Sequence, residues 1–153
     1  MKPVLDMCCG SRMFWFDKTD SRALFIDNRE LDSILCDDRI LSIHPDMLAD
    51  FRDLPFEDET FYHVVFDPPH LLHAGEDSWL AKKYGVLEHD TWKDDIRTGF
   101  KEGMRVLKPF GTLIFKWSEH QISTAEIMSI IDVKPMYGFK RGKSIFLVFL
   151  KVE

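Results

Sequence analysis

Along the chain, short apolar runs alternate with stretches whose apolar residues recur every three or four positions. Runs bounded by turn formers read as buried strands, and the longer spacing reads as helices with one face inward. "PVLDM" and "ALFID" are the first two predicted strands, each ending in an acid. "MLADF" is a weaker third and "HVVFD" a strong fourth. From Asp90 to Leu107, apolar residues at Trp92, Ile96, Phe100, Met104 and Leu107 predict a helix, which "KPFG" stops. "GTLIFKW" follows as a fifth strand, "ISTAEIMSII" as a helix, "VKPMYG" as a sixth strand and "SIFLVFLKV" as a seventh. The turn "KRGK" between the last two is too short for a parallel crossover, so that pair is antiparallel.

The expected fold is therefore α/β, one domain over residues 1–153, with a mostly parallel seven-stranded sheet and an antiparallel last strand. Only about a dozen residues separate Gly10 from the second strand, so a first helix near "MFWFDK" is expected to be short. At 153 residues, 45% hydrophobic and 30% charged, the chain has an ordinary globular composition. No apolar run approaches the ~18 residues of a membrane span, and "MKPVLDMCCG" carries no signal-peptide pattern. Three cysteines, two adjacent and one distant, form neither a disulfide framework nor a zinc site, so no metal is expected and a cytoplasmic protein with reduced thiols is. A net charge of −6 argues against strong nonspecific nucleic-acid binding while leaving room for a local basic patch.

Candidate chemistry collects after the strands, since open α/β sheets bind ligands beyond the carboxyl ends. The first strand ends in Asp6, and Gly10 lets the backbone approach a ligand closely. Asp27, about twenty residues on, ends the second strand, where a carboxylate can accept both hydroxyls of a ribose. Asp50 and Phe51 follow the third; an acceptor beside a flat ring suits the amino group and face of an adenine. The fourth strand runs into Asp67-Pro68-Pro69-His70. Taken singly, each acid is as well explained as a helix cap or turn former. Four at successive strand ends form a pattern.

With those residues in place, "VLDMCCGSR", "FIDNRE", "ADFRDLPFEDETFYHVVFDPPH" and "RVLKPFGTLIFKW" resemble the ordered motifs of class I S-adenosylmethionine-dependent methyltransferases, over nearly the whole chain. The "DPPH" tetrapeptide is similar to the Asp-Pro-Pro-aromatic motif of enzymes that methylate exocyclic amino groups of adenine or cytosine, and the whole looks closest to small phage- and prophage-type members. The resemblance implies S-adenosyl-L-methionine as cofactor, held by Asp6, Cys8, Gly10, Arg12, Asp27, Asp50 and Phe51. Two features depart from the pattern. Cys8 and Arg12 flank Gly10 where the family has glycines, which brings a bulky cation to the cofactor's methionine end, and the first helix is short.

Methyl transfer to an amino group on an aromatic ring needs that nitrogen's lone pair localised. The Asp67 carboxylate and the Pro68 carbonyl can accept its two hydrogens, and Pro68 and Pro69 keep the corner rigid. His70 stands at the aromatic position, where it can stack on the base, act as a base, or serve as a structural hydrogen-bonder. Residues 71–89 read as a lid or substrate loop. Within it Trp79 and Tyr84 flank Lys82 and Lys83, a mixture that fits a stacked base and a phosphate, or else tucked aromatics and solvated lysines. Trp117, with Lys116, is placed at the same edge by position, and "KRGK" either overhangs it or forms a solvated tip. The favoured acceptor is a DNA or RNA base, adenine ahead of cytosine. The alternatives are a small-molecule methyltransferase of the same fold and a non-catalytic cofactor-binding or partner subunit. A partner or second copy, as in a homodimer, would compensate for the lack of a target-recognition domain, and no membrane partner is expected.

Overall fold

The computed structural model describes residues 1–73 and 78–153, with the side chains of residues 79 and 80 also outside the description. Nine strands and three helices follow one another in the described chain. They are β1 (Val4–Asp6), β2 (Ala23–Asp27), β3 (Leu31–Ile34), β4 (Ile40–Ile43), β5 (Met47–Leu48), β6 (Phe61–Phe66), α1 (Trp79–Tyr84), α2 (Trp92–Val106), β7 (Leu107–Ser118), α3 (Thr124–Ile130), β8 (Tyr137–Arg141) and β9 (Ser144–Leu150). Seven strands form one sheet in the order β5-β2-β1-β6-β7-β9-β8. The pairs from β5 to β7 are parallel, and β9 runs antiparallel to both β7 and β8. This is the expected seven-stranded arrangement with its antiparallel last strand.

Register sorts the side chains onto two faces. Leu5, Val64, Leu113 and Phe149 align on one face, and the core forms there under α2 and α3. α2 lies unusually close, because two of its inward positions are glycine. A β-carbon on Gly99 would stand 2.4 Å from the Phe51 ring, and one on Gly103 2.8 Å from Leu113. Gly99→Ala is therefore expected to destabilise the fold by about 1–3 kcal/mol through overpacking, read as a lower denaturation midpoint in urea. Ser123 caps α3 by accepting from the Glu126 amide.

Two features differ from the sequence reading. Residues 13–18 form turns and bends instead of a short first helix. The Arg12 and Trp15 amides bond to carbonyls three residues back, and Trp15 donates to Asp6, so this strap is tied across the sheet before a helical ladder can start. The connection after β2 holds an antiparallel hairpin, β3–β4, with its own small core of Leu35, Leu41 and Ile43. The third predicted strand shrinks to Met47–Leu48. No helix among the described residues is long and apolar enough to cross a membrane.

Candidate active site

Beyond the carboxyl ends of β1, β2 and β6 lies a cavity of about 170 Å3. Asp6, Asp27 and Asp67 line it together, with Cys8, Gly10, Phe51, Pro68 and Pro69. Asp6 and Asp27 are the last paired residues of β1 and β2, and Asp67 is the first residue beyond β6, so all three acids reach the same edge of the sheet. Asp6 is almost fully buried; its carboxylate accepts Trp15 Nε1 at 2.7 Å and the Cys8 amide at 3.3 Å. Burial, assisted by the nearby Asp67 charge, pushes its pKa up to about 7 against the Trp15 hydrogen bond.

Asp27 is held from two sides. The amide of Gly10, a residue at φ 50°, donates to one oxygen at 2.8 Å, and the Arg29 amide donates to the other at 2.9 Å. Burial raises the pKa of Asp67, and Lys116 Nζ at 3.5 Å opposes that rise. Burial also pushes the Cys9 thiol up to about 12 and the Cys8 thiol well above its usual value, so both stay protonated. Neither is a nucleophile at neutral pH. Among the described residues no cluster of His, Cys, Asp or Glu is arranged to hold a metal ion.

A roof closes one side. The α1 helix is capped by Ser78 and ends at Gly85. Arg29 reaches up to it, donating to the Lys82 carbonyl at 2.8 Å while its Nε lies 3.5 Å from Asp27. Lys83 and Tyr84 line the cavity from this helix. Lys82 contributes its carbonyl to the Arg29 bond and does not line the cavity, and the Trp79 side chain lies outside the described residues.

His70 does not line the cavity. It is 9% exposed and packed beside Tyr84 at 5.6 Å, edge-on to Trp117 at 6.4 Å and stacked on His120 at 5.8 Å. Burial and the charges of His120 and Lys116 push its pKa down to about 4, so the ring is neutral at physiological pH. At the same edge, the tip between β8 and β9 is pinned by Lys140, which pairs with Glu119 at 2.8 Å.

Three more expected site residues lie outside the cavity. Arg12 sits over the Phe25 ring at 4.0 Å and donates to the Lys18 and His44 carbonyls, turned away from the cavity by its own left-handed backbone at φ 60°. Asp50 forms a turn with the Arg52 amide and a salt bridge to its guanidinium at 2.6 Å. Trp117 is 1% exposed on the core face and donates to the Ile122 carbonyl at 2.9 Å. Strand alternation puts its neighbour Lys116 on the cavity side instead. Phe14, Asn28 and Arg29 line the cavity without having been marked as site residues, and Lys116, placed at this edge beside Trp117, lines it as well.

No protein-family model and no curated protein matches the sequence. Solved structures do share its fold. The PH0226 protein of Pyrococcus horikoshii OT3 superposes with a TM-score of 0.62 at 17% identity, over 98% of this chain and 82% of that one. The N-methyltransferase NodS of Bradyrhizobium japonicum WM9 gives 0.57 at 12% identity, over 98% and 85%. A SAM-dependent methyltransferase of Aquifex aeolicus gives 0.56 at 13% identity, over 97% and 81%. The chain thus has the Rossmann-like fold of class I methyltransferases.

Proposed function

We propose that the protein is an S-adenosylmethionine-dependent methyltransferase acting on an exocyclic amino nitrogen of a nucleic-acid base, adenine ahead of cytosine. The observation that carries this reading is the Asp67-Pro68-Pro69 corner facing the same cavity as Asp27 and Phe51. The donor set fits a cationic nucleoside: a strand-end carboxylate for ribose hydroxyls, an aromatic ring for adenine, and the Asp6 carboxylate for positive charge. The cofactor supplies an electrophilic methyl group on a good leaving group, so no metal is required. What the chain supplies is alignment, which can lower a barrier by roughly 7–11 kcal/mol. Asp67 and the Pro68 carbonyl accept the two amino hydrogens, drawing the nitrogen lone pair out of conjugation. Lys116 favours the ionised Asp67, the form that accepts.

The cavity is smaller than the ~300–1,000 Å3 of ordinary ligand sites. The α1 roof limits it, so admitting the cofactor requires α1 to lift while Arg29 stays hinged on Asp27. This gives α1 the role of a lid; of the segment 71–89 expected to play that part, residues 74–77 lie outside the described residues. A flipped-out or single-stranded base then meets the corner.

Cofactor affinity should rise with pH. Only ionised Asp6 attracts the sulfonium, and its ionised fraction climbs from about 0.1 at pH 6 to about 0.9 at pH 8, giving up to about tenfold tighter binding. Calorimetry at the two pH values checks this, with a smaller gain for uncharged-sulfur S-adenosylhomocysteine.

Transfer of labelled methyl into single-stranded DNA, RNA and cell-extract small molecules tests the acceptor. Label on a base amino group is expected. Label only in small molecules would support the second reading, a small-molecule methyltransferase, which the roof over the cavity favours. The non-catalytic alternative drew on the two departures from the family pattern, at Arg12 and in the first helix, and Arg12 lies outside the cavity.

A further inference from the structure

Sheets of mostly parallel strands normally carry helices on both faces, yet α2 and α3 both pack on the same one. On the other face, register aligns His63, Thr112 and Leu150, then Val65, Ile114, Val148 and Tyr137, and finally Lys116, Phe146 and Phe139. Of these, Val65 and Val148 are buried, Tyr137 and Phe139 exposed, and the rest half-buried. The strap of residues 11–20 covers the β1–β2 side through Trp15 against Phe25 and touches the far strands only through Phe14, 6.1 Å from Phe146. Between strap and sheet runs a groove of about 510 Å3 over Val4, His63 and Val65. Phe16 on its wall is fully exposed, and Phe139 and Tyr137 on the edge strand are more than half exposed.

We propose that this open face is the interface of a homodimer, in which a second copy of the chain packs its own groove and aromatic edge against it about a two-fold axis. Area supports a second copy. A folded chain of 18.0 kDa is expected to expose about 8,050 Å2 by size scaling, whereas this one exposes 8643 Å2. The chain as a whole thus has more surface than its size requires. Four strands about 4.8 Å apart and about seven residues long present about 450 Å2 as flat sheet, and the exposed Phe16 ring extends that surface toward the ~800 Å2 that each partner contributes to a standard interface.

Charge agrees. Each chain carries −6 overall, but the middle of this face holds no carboxylate, and burial pushes the His63 imidazole down toward its neutral form. Two like-charged molecules can therefore meet here without opposing charges. Nucleic acid and anionic membrane need a basic surface, while the groove is rimmed by Asp17 and by Asp20 paired with Arg22. An isologous contact also repeats the one patch on both sides, as a two-fold interface must.

The interface reaches the candidate site through one residue. Phe14 lines both the groove and the cavity, 6.1 Å from Phe146 and 5.7 Å from Lys116 Nζ. A second copy pressed onto the strap braces Phe14 from behind. Dimerisation and cofactor binding then stabilise each other, because coupling between two sites is reciprocal. This coupling rests on the cofactor reading above; the dimer does not.

Sedimentation of the full chain across micromolar concentrations tests the interface without cofactor. Wild type is expected at twice the 18.0 kDa chain mass. Phe16→Asp and Phe139→Asp, each at an exposed position that leaves the core intact, are expected to sediment as monomers with unchanged circular dichroism. Ile34→Asp, on the β3–β4 hairpin, is expected to remain dimeric. A monomeric wild type, or a dimer indifferent to both Phe substitutions, overturns the proposal. Calorimetry with S-adenosylhomocysteine should show several-fold weaker binding to Phe16→Asp than to wild type, and equal affinities overturn the coupling. A dimer that binds no cofactor sinks the cofactor reading alone.

Discussion

Asp67→Ala is expected to lower methyl transfer by about 10²–10³-fold while leaving cofactor affinity within a few-fold of wild type, the loss seen when one oriented group is removed from developing charge. Asp67 ends β6 at the rim of the cavity, paired to Lys116, whereas the groups assigned to ribose and adenine come from β2 and from Phe51. Its removal strips an acceptor from the amino nitrogen and leaves the nucleoside contacts alone. Asp67→Asn should fall less far, since its amide oxygen still accepts one amino hydrogen while the negative charge is lost. Labelled transfer to the identified acceptor gives the rate, and calorimetry gives the affinity. If activity and binding both survive the alanine substitution, the hydrogen-bonding corner is wrong. If binding collapses with activity, Asp67 belongs to the cofactor's shell instead.

Asp27→Ala should act on binding first, weakening cofactor affinity by about 10–100-fold, the range for losing charge-assisted hydrogen bonds. The carboxylate has two tasks that the substitution removes together. It is the proposed ribose acceptor, and it anchors the Gly10 and Arg29 amides that shape the loop and carry the roof. Asp27→Asn separates them, because an amide oxygen still accepts one backbone hydrogen bond. An asparagine variant that folds like wild type yet binds cofactor weakly assigns the loss to the ribose. Wild-type affinity in both variants would remove Asp27 from the site.

Much of this arrangement was legible in the chain because strand ends are strongly written. A run such as Val64–Phe66 has nowhere to go but a buried strand, and Asp67-Pro68 must leave the sheet, so the acid's position follows from backbone chemistry. The seven-stranded, mostly parallel sheet with its final antiparallel strand followed from the same runs, while the spatial order of the strands did not. Side-chain direction was less legible. Arg12 neighbours Gly10 in sequence, but a left-handed backbone at Arg12 aims the guanidinium across the sheet to Phe25. Asp50 neighbours Phe51, but a local turn hands its carboxylate to Arg52. Trp117 and Lys116 were grouped by position, although a strand's period of two sends them to opposite faces.

The β3–β4 hairpin was missed for a different reason. Its halves are four residues each, and its buried positions are shared between a strand and its turn, so no long run announces it. A clue was present in the alternation of Ile40 to Ile43 after a turn of acids, with Asp38 at φ 65°. The roof was signalled only as a segment too long for a simple connection. Its latch, Arg29, lies fifty-three residues away from its partner Lys82, a contact that no local pattern encodes.

The decisive observation is a crystal structure of the protein with S-adenosylhomocysteine bound. The nucleoside hydroxyls are expected on Asp27, the adenine against Phe51, and the sulfur turned toward the corner of Asp67 and Pro68. A ligand seated outside the cavity, or one inside it that touches neither Asp27 nor Phe51, contradicts the assignment.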